Sequence, residues 1–392
     1  MSFARAGSLA VLLFSSGAFA QGPPAPRDVT FSAADGTGLK GTYYAAAKPG
    51  PAVLLLHMCN TTRKSWEPLG PQLAAAGIHA LSVDYRGFGE SGGDRVDAVR
   101  PEEAQNTINE KWPGDIDTAF DFLLAQPGVD KTHVGAAGGS CGVNQAVRLA
   151  RRHPEVRSLV LLAGGLDPEG LTYLTQTTWL PIFAAAAADD QYDDDAPGLM
   201  QWILAMSGNP RNKFSGFKDG KHGTEIFGPH PELPKQIVAW YDDTLVKRPA
   251  DPKVAVRMKN TPARQFWEKA VTPAGVSAAV QMFWETRERD PRAVLFPEAQ
   301  LNQLGYTHLR AGRATHAIQL FRLNTMAYPW SANTFDSLGD AYLANEQNEL
   351  ALRASEKAIE LLAKDRSGED RKKAIRESAE QKIAKLKGSQ KN

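Results

Sequence analysis

The residue best suited to chemistry in this sequence is a serine framed by glycines. Ser140 lies at the centre of residues 138–142, Gly-Gly-Ser-Cys-Gly, after an apolar stretch at 133–137 and before a helical stretch at 143–152. Glycines two positions to either side permit the strained strand-to-helix turn that presents a nucleophilic hydroxyl at the end of a sheet. The motif predicts a nucleophile for acyl transfer, and a purely structural glycine-rich turn is the alternative.

Cys141 is a rival nucleophile inside the same motif. A turn centred on Cys141 would have Gly139 and Val143 as its flanking residues. The branched side chain of Val143 would crowd such a turn. Ser140 is therefore the preferred nucleophile.

The elements that must position this serine alternate between strand and helix. A hairpin is predicted over 28–45, around a turn at 35–38. Short runs that are apolar throughout follow it, and such runs suit parallel strands covered by helices on both faces. The strand-like runs are 53–57, 80–83, 134–137, 159–163 and 182–187, and the helical stretches are 66–76, 115–124, 143–152 and about 234–245. The pattern predicts an α/β domain over 21–246, with a doubly wound and mostly parallel sheet.

A serine nucleophile needs a base, and a histidine near neutral pKa is suited to that role. Five histidines follow the motif, and three of them lie where a helix end or the C-terminal region is expected. The remaining two are His222, in the glycine-flanked loop 219–224, and His230, between two prolines. His222 is the preferred base. An acid to orient it should follow the predicted strand 182–187, where the candidates are Asp189, Asp190 and the aspartates at 193–195.

Together these motifs resemble the dienelactone hydrolase-like branch of the α/β-hydrolase superfamily, over about residues 28–246. The resemblance rests on residues 57–59, residues 84–91, the serine motif, Asp190 and His222. It implies the chain order nucleophile, acid, histidine, and so a triad of Ser140, Asp190 and His222. An alanine at the position of a usual glycine leaves Asp189 as a neighbouring alternative. It also implies that residues 84–91 brace a loop.

The resemblance further implies two backbone donors for the oxyanion of the reaction. These are the N–H groups of Cys59 and Cys141, with Met58 as the alternative to Cys59. His57, beside them, is interpreted as a structural histidine. Two donors aimed at one oxygen would bring the two cysteine backbones close enough for a disulfide, which needs Cα atoms within about 7 Å. We therefore hypothesise a Cys59–Cys141 bond, with two packed thiols as the alternative.

The sequence changes character after residue 246, becoming almost strand-free and rich in Ala, Leu, Glu, Lys and Arg. Leucine-glycine pairs at 304–305 and 338–339 are 34 residues apart, as are Ala317 and Ala351. The spacing resembles the tetratricopeptide repeat over about 299–363. Asn324 and Ser355 depart from the residue types usual in that repeat. The alternative to a repeat is an unrelated helical bundle.

Domain bounds follow from this change. We predict a linker with helices over 247–298, in which stretches at 265–271 and 278–287 could form a degenerate earlier repeat. An all-α repeat region over 299–392 follows, and its charged helix at 369–387 is expected to be a solvated cap.

The first twenty residues resemble a cleavable export signal. Arg5 precedes an apolar run at 9–14, and residues 18–20 spell Ala-Phe-Ala. This order predicts cleavage after Ala20 and a periplasmic or secreted protein, with a buried N-terminal helix as the alternative.

Overall charge excludes some classes of partner. The 392 residues carry 45 basic and 44 acidic side chains, a formal charge of +1, which gives no global attraction for nucleic acid. Beyond the N-terminal run, no apolar stretch is long enough to span a membrane. No cofactor is needed for the chemistry, and the aspartates near Asp190 lack the spacing of a calcium loop.

These observations predict an exported serine hydrolase that cleaves small carboxylic esters through an acyl-enzyme. A peptidase acting on amide bonds is one alternative. The other is a repeat module that binds a peptide or protein and is fused to an inactive hydrolase domain.

Overall fold

A computed structural model describes residues 22–254, 256–365 and 367–389, so the predicted export signal lies outside the described residues. One sheet of eight strands lies at the centre of the N-terminal two-thirds. The strands are β1 (Arg27–Ser32), β2 (Gly38–Tyr44), β3 (Gly50–Leu56), β4 (His79–Val83), β5 (Val129–Gly139), β6 (Val156–Leu162), β7 (Ile182–Ala187) and β8 (Lys213–Phe217).

Fourteen α-helices lie in the described part of the chain. They are α1 (Gly70–Ala75), α2 (Pro101–Asn106), α3 (Trp112–Leu124), α4 (Cys141–Arg152), α5 (Pro168–Gln176), α6 (Ala196–Ser207), α7 (Glu232–Tyr241), α8 (Pro262–Ala270), α9 (Val276–Arg289), α10 (Glu298–Arg310), α11 (Ala314–Ala327), α12 (Ala332–Ala344), α13 (Asn348–Leu361) and α14 (Glu369–Ser389).

The sheet is mostly parallel, as predicted. Its strand order is β1-β2-β4-β3-β5-β6-β7-β8, and only the β1–β2 and β2–β4 pairs are antiparallel. The carboxyl ends of the parallel strands therefore meet at one edge, which is where open α/β sheets bind ligands. The strands match the predicted hairpin and apolar runs, whereas β8 was not predicted as a strand.

Helices cover the sheet on both faces, and the C-terminal helices share one of the two cores. The core on the α1 and α7 face is confined to the N-terminal two-thirds. The core on the other face joins α3, α4, α5 and α6 to Phe266 and Trp267 of α8 and to Leu301 of α10. Burial of large apolar side chains of this kind contributes about 1.5–3 kcal/mol each. The helical region thus packs against the α/β part as one core.

Hydrogen bonds also join the two parts. Arg264 of α8 is 4% exposed and donates to the carbonyl oxygens of Met206, Ser207 and Thr175, which lie at the ends of α6 and α5. These carbonyls have no partner inside their own helices, because the last turn of a helix leaves its oxygens free. The guanidinium therefore satisfies both helix ends at once.

The C-terminal helices form two hairpins, α10–α11 and α12–α13. Each helix of the second hairpin begins and ends 34 residues after the equivalent helix of the first. For example, α10 begins at 298 and α12 at 332, and α11 ends at 327 and α13 at 361. The two residues that depart from the sequence pattern are buried and hydrogen-bonded. Asn324 donates to Glu298 O at 3.1 Å, and Ser355 Oγ donates to Ala351 O at 2.9 Å.

The charged helix α14 is more firmly anchored than a solvated cap. It packs against α12 and α13 through buried Ile375 and Ala379. Lys382, 6% exposed, pairs with Asp336 and Asp340 of α12 at 2.9 and 2.6 Å. None of the helices in the described part of the chain combines the length and apolar character needed to cross a bilayer.

The two equivalent glycines of the hairpins provide a stability test. A Cβ on Gly305 would collide with the fully buried ring of Phe321, whereas one on Gly339 would lie 3.0 Å from Ser355 Oγ. We expect Gly305→Ala to lower the free energy of unfolding by about 1–3 kcal/mol through overpacking. For Gly339→Ala the gain in helix propensity, about 1 kcal/mol, offsets the milder contact. Urea unfolding of both variants measures the difference, and equal effects would contradict this packing.

Candidate active site

The serine motif forms the strained turn that its glycines predict. Ser140 joins β5 to α4 with φ 52° and ψ −121°, a conformation that non-glycine residues rarely adopt. A side chain on Gly138 would collide with the backbone of Gly142, and one on Gly142 would collide with Leu56 at the end of β3. Both glycines are therefore required for the turn, which holds Ser140 at the carboxyl edge of the sheet.

The preferred acid and base lie in direct contact. His222 Nδ1 is 2.6 Å from Asp190 Oδ2, and both side chains are at least nine-tenths buried. The other oxygen, Asp190 Oδ1, accepts the backbone N–H groups of Tyr192 at 2.8 Å and Asp193 at 3.2 Å. These bonds fix the carboxylate, and the carboxylate in turn fixes the ring. Asp189 instead accepts the backbone N–H of Lys221 and does not contact His222.

The loop of His222 is held from its other side by Glu225. Glu225 Oε2 accepts the backbone N–H of His222 at 3.3 Å and the side-chain amide of Gln191 at 2.9 Å. The ring of Tyr192 packs edge-on against the imidazole, with centroids 4.7 Å apart. The alternative base, His230, bonds to Asp219 and lies away from the cavity that contains Ser140.

Ser140 and His222 line one cavity. A Cβ built on Gly223, the residue after the histidine, would lie 3.5 Å from Ser140 N, so the two loops touch. Ser140 Oγ and His222 Nε2 form no hydrogen bond in this structure. Such bonds are often long until a substrate closes the site. The structure thus brings all three predicted residues to one edge, with the acid–base contact already formed.

The two cysteines are joined by a disulfide, as hypothesised. Their Cα atoms are 5.8 Å apart, and both residues line the same cavity as Ser140. Cys141 begins α4, where a helix leaves its first N–H groups free. No backbone hydrogen bond within the described residues uses the N–H of Cys59 or Cys141. The alternative donor residue, Met58, is fully buried and does not line the cavity.

His57 has a structural role. Its Nδ1 donates to Met58 O at 2.6 Å, and its Nε2 accepts the backbone N–H of Tyr85 at 3.1 Å. Burial lowers the pKa of His57 to about 4, so the ring is neutral at physiological pH. Both ring nitrogens are occupied, and the ring cannot accept a proton from Ser140.

The run at 84–91 braces a loop, as the resemblance implied. Asp84 accepts the backbone N–H of Arg63 at 2.7 Å and that of Glu90 at 3.0 Å, and it also pairs with the Arg63 guanidinium. Ser91 Oγ donates to Asp84 O at 2.7 Å. These bonds fix the strand end without contact to the cavity.

The cavity has a volume of about 1110 Å³, and part of its wall comes from an unexpected place. Residues from 105–109 and 163–168 form two of its walls. Gln303 and Arg310 of α10 also line it, although the sequence suggested that the helical region lay apart.

One glycine beside the nucleophile was missed by the sequence analysis. Ala163 follows β6 with φ 44°, and a side chain on the next residue, Gly164, would collide with the backbone of Ser140. The sequence signal for this close approach was the Ala-Gly-Gly run at 163–165, which directly follows an apolar run. Among the described residues, no group of three or more His, Cys, Asp or Glu side chains is arranged to hold a metal ion.

Residues 51–219 match the family model for the alpha/beta hydrolase fold. This chain has the alpha/beta hydrolase fold. The matched residues include Ser140 and Asp190, and they end just before His222.

Two curated relatives each match about a third of this chain. A thiohydrolase of Aspergillus aculeatus is 31% identical over 134 residues, which are 34% of this chain and 40% of that protein. An uncharacterized protein of Mycobacterium tuberculosis is 32% identical over 133 residues, 33% of this chain and 43% of that protein. The match spans about two fifths of the length of these relatives.

Solved structures align with part of this chain at low identity. An esterase of Pyrococcus furiosus aligns with 56% of this chain and 91% of its own, at 18% identity and a TM-score of 0.46. An acylaminoacyl peptidase of Pyrococcus horikoshii aligns with 59% of this chain and 44% of its own, at 15% identity and a TM-score of 0.47.

Proposed function

We propose that the protein is an exported serine hydrolase that cleaves carboxylic esters through an acyl-enzyme. The observation that carries the proposal is the 2.6 Å contact between His222 and Asp190 in the cavity that also contains the strained Ser140 turn. Hydroxyl, imidazole and carboxylate in this order form the apparatus of acyl transfer.

In the proposed reaction the hydroxyl of Ser140 attacks the ester carbonyl. His222 Nε2 takes the hydroxyl proton and then delivers it to the departing alcohol. Asp190 keeps Nδ1 protonated, so that Nε2 is the free basic nitrogen, and its charge stabilises the imidazolium. Water then attacks the acyl-enzyme by the same route in reverse, which frees the acid and restores Ser140.

The N–H groups of Cys59 and Cys141 are the proposed donors to the tetrahedral oxygen. Neither has a hydrogen-bond partner in the described part of the chain, and the second is at the start of α4, where the helix dipole favours negative charge. Donors fixed in advance need no reorganisation as the charge develops, which is the main source of their effect.

Two further proposals concern the class of hydrolase and its location. The serine motif with His57-Met58-Cys59 supports a dienelactone hydrolase-like enzyme, and the 34-residue offset of the helix bounds supports tetratricopeptide-like repeats. The disulfide supports an oxidising compartment, periplasmic or extracellular. Binding of a protein or peptide by the repeats is a separate prediction.

An activity-based probe tests the proposed function. We expect a fluorophosphonate to label the protein and p-nitrophenyl acetate to be hydrolysed. Ser140→Ala should abolish labelling and lower turnover by about 10³-fold or more, because the nucleophile is lost. The exposed Ser32 provides the matched control, since Ser32→Ala should change neither. A folded protein without labelling or turnover, or one whose turnover persists in Ser140→Ala, would exclude the proposal.

A further inference from the structure

An unpartnered arginine from the helical region lies in the cavity of the proposed nucleophile. Arg310, at the end of α10, lines the cavity together with Ser140 and His222. It forms no ion pair or side-chain hydrogen bond with any described residue. Its guanidinium therefore has five donors available to a ligand.

A second arginine, Arg148 of α4, also lines the cavity. The backbone of Arg148 lies about two helical turns after that of Ser140, which is about 12 Å along the axis of α4. Its side chain is 20% exposed and is fixed by Nε to Asp167 at 2.7 Å and by Nη2 to Asn109 at 3.2 Å. The remaining nitrogen, Nη1, has no protein partner. A donor held in this way is preorganised for a ligand in the cavity.

Asp167 balances the charge of Arg148 but has no contact with Arg310. Asp167 is fully engaged, because it accepts from Arg148, from the Asn144 amide at 3.0 Å and from the backbone of Gly170 at 2.6 Å. Asp193 lies at the opposite end, beside Asp190, and burial raises the pKa of its carboxyl. Arg310 is therefore a positive charge in the cavity wall that no carboxylate among the described residues pairs with, and Arg148 adds a free hydrogen-bond donor.

We propose that Arg310 and Arg148 bind an anionic group of the substrate, remote from the ester bond. The substrates are thus esters whose acid or alcohol part carries a carboxylate or a phosphate. The inference rests on the proposed function and assigns substrate recognition to α10. A guanidinium suits both anions, since its planar fork donates two hydrogen bonds at once.

Matched substrates test the charge preference. The acyl-side series consists of p-nitrophenyl esters of dicarboxylic acids of increasing length, each compared with the carboxamide of equal length. The alcohol-side series consists of acetyl esters of hydroxy acids and of phosphorylated diols, compared with neutral amides. We expect kcat/KM to favour the anionic member roughly tenfold in one series, a modest preference because solvent screens the exposed Arg310. The preference should weaken at high salt.

Variants assign the preference to the cavity. Arg310→Gln should bring the anionic-to-neutral ratio close to one, and Arg310→Lys should retain part of it. Arg322→Gln, an exposed arginine of α11 outside the cavity, should leave the ratio unchanged. Hydrolysis that depends on Ser140 but ignores charge in both series, or a ratio that survives Arg310→Gln, overturns this inference alone. If no ester is hydrolysed in a Ser140-dependent manner, the proposed function fails and the inference with it.

Discussion

Replacing Asp190 with Asn should lower kcat by about 10⁴-fold while leaving the fold intact. The asparagine oxygen can still accept the two backbone N–H groups that bind Asp190 Oδ1, so the loop keeps its bonds. Its amide nitrogen would donate to His222 Nδ1, which forces the proton onto Nε2 and removes the base. The stabilising charge opposite the imidazolium is lost as well. Steady-state kinetics with the best p-nitrophenyl ester measures the effect.

Asp189 provides the matched control for this prediction. It has the same side chain one residue earlier and is exposed, and it accepts the backbone N–H of Lys221. Asp189→Asn should retain nearly all activity, and thermal unfolding should show that both variants fold. A large loss of kcat in Asp189→Asn with little loss in Asp190→Asn would show that Asp189 is the acid. The loop would then need a different arrangement from the one described.

Removal of the disulfide should have the second largest effect, on both activity and stability. The double variant Cys59→Ala/Cys141→Ala keeps both backbone N–H groups, so it tests their alignment and not their presence. Complete loss of one oxyanion donor costs about 10²–10³-fold in kcat, so we expect misalignment to lower kcat by up to about 10²-fold. The bond closes a loop between residues 82 positions apart, for which the chain-entropy model gives about 4 kcal/mol of stability. Kinetics and urea unfolding measure the two losses.

Reduction separates the disulfide from other effects of the substitutions. A phosphine reductant should slow the wild-type enzyme and lower its unfolding midpoint, and neither should change in the double variant, which has no cysteine left. Full activity and unchanged stability of the double variant would show that the oxyanion loop and α4 stay aligned without the bond.

The sheet could be predicted from sequence because its interior strands are apolar on both faces. Residues 182–187 were predicted as a strand, because a short run of apolar residues fits a strand covered by helices on both faces. The strand β7 has these bounds. The nucleophile was predicted for a similar reason, because the glycines at 138 and 142 are required by collisions that any such turn would meet.

Other features depend on contacts that no local pattern records. The strand β8 has only five residues, lies at the sheet edge and contains Gly216, so its pattern is weak. The apolar face of α10 indicated burial but not the surface it would cover. Only the shared core with α5 and α6 brings Arg310 into the cavity, and sequence analysis had instead separated the helical region from the site.

The bonds from Arg264 to the ends of α5 and α6 join the C-terminal helices to the α/β part of the chain. A break in the connecting segment 248–261 would leave two pieces that remain associated, since each covers apolar surface of the other. Neither piece could be exchanged for an unrelated one during evolution without a matching change in its counterpart. The protein is therefore inherited as a unit, although its sequence resembles two separate modules.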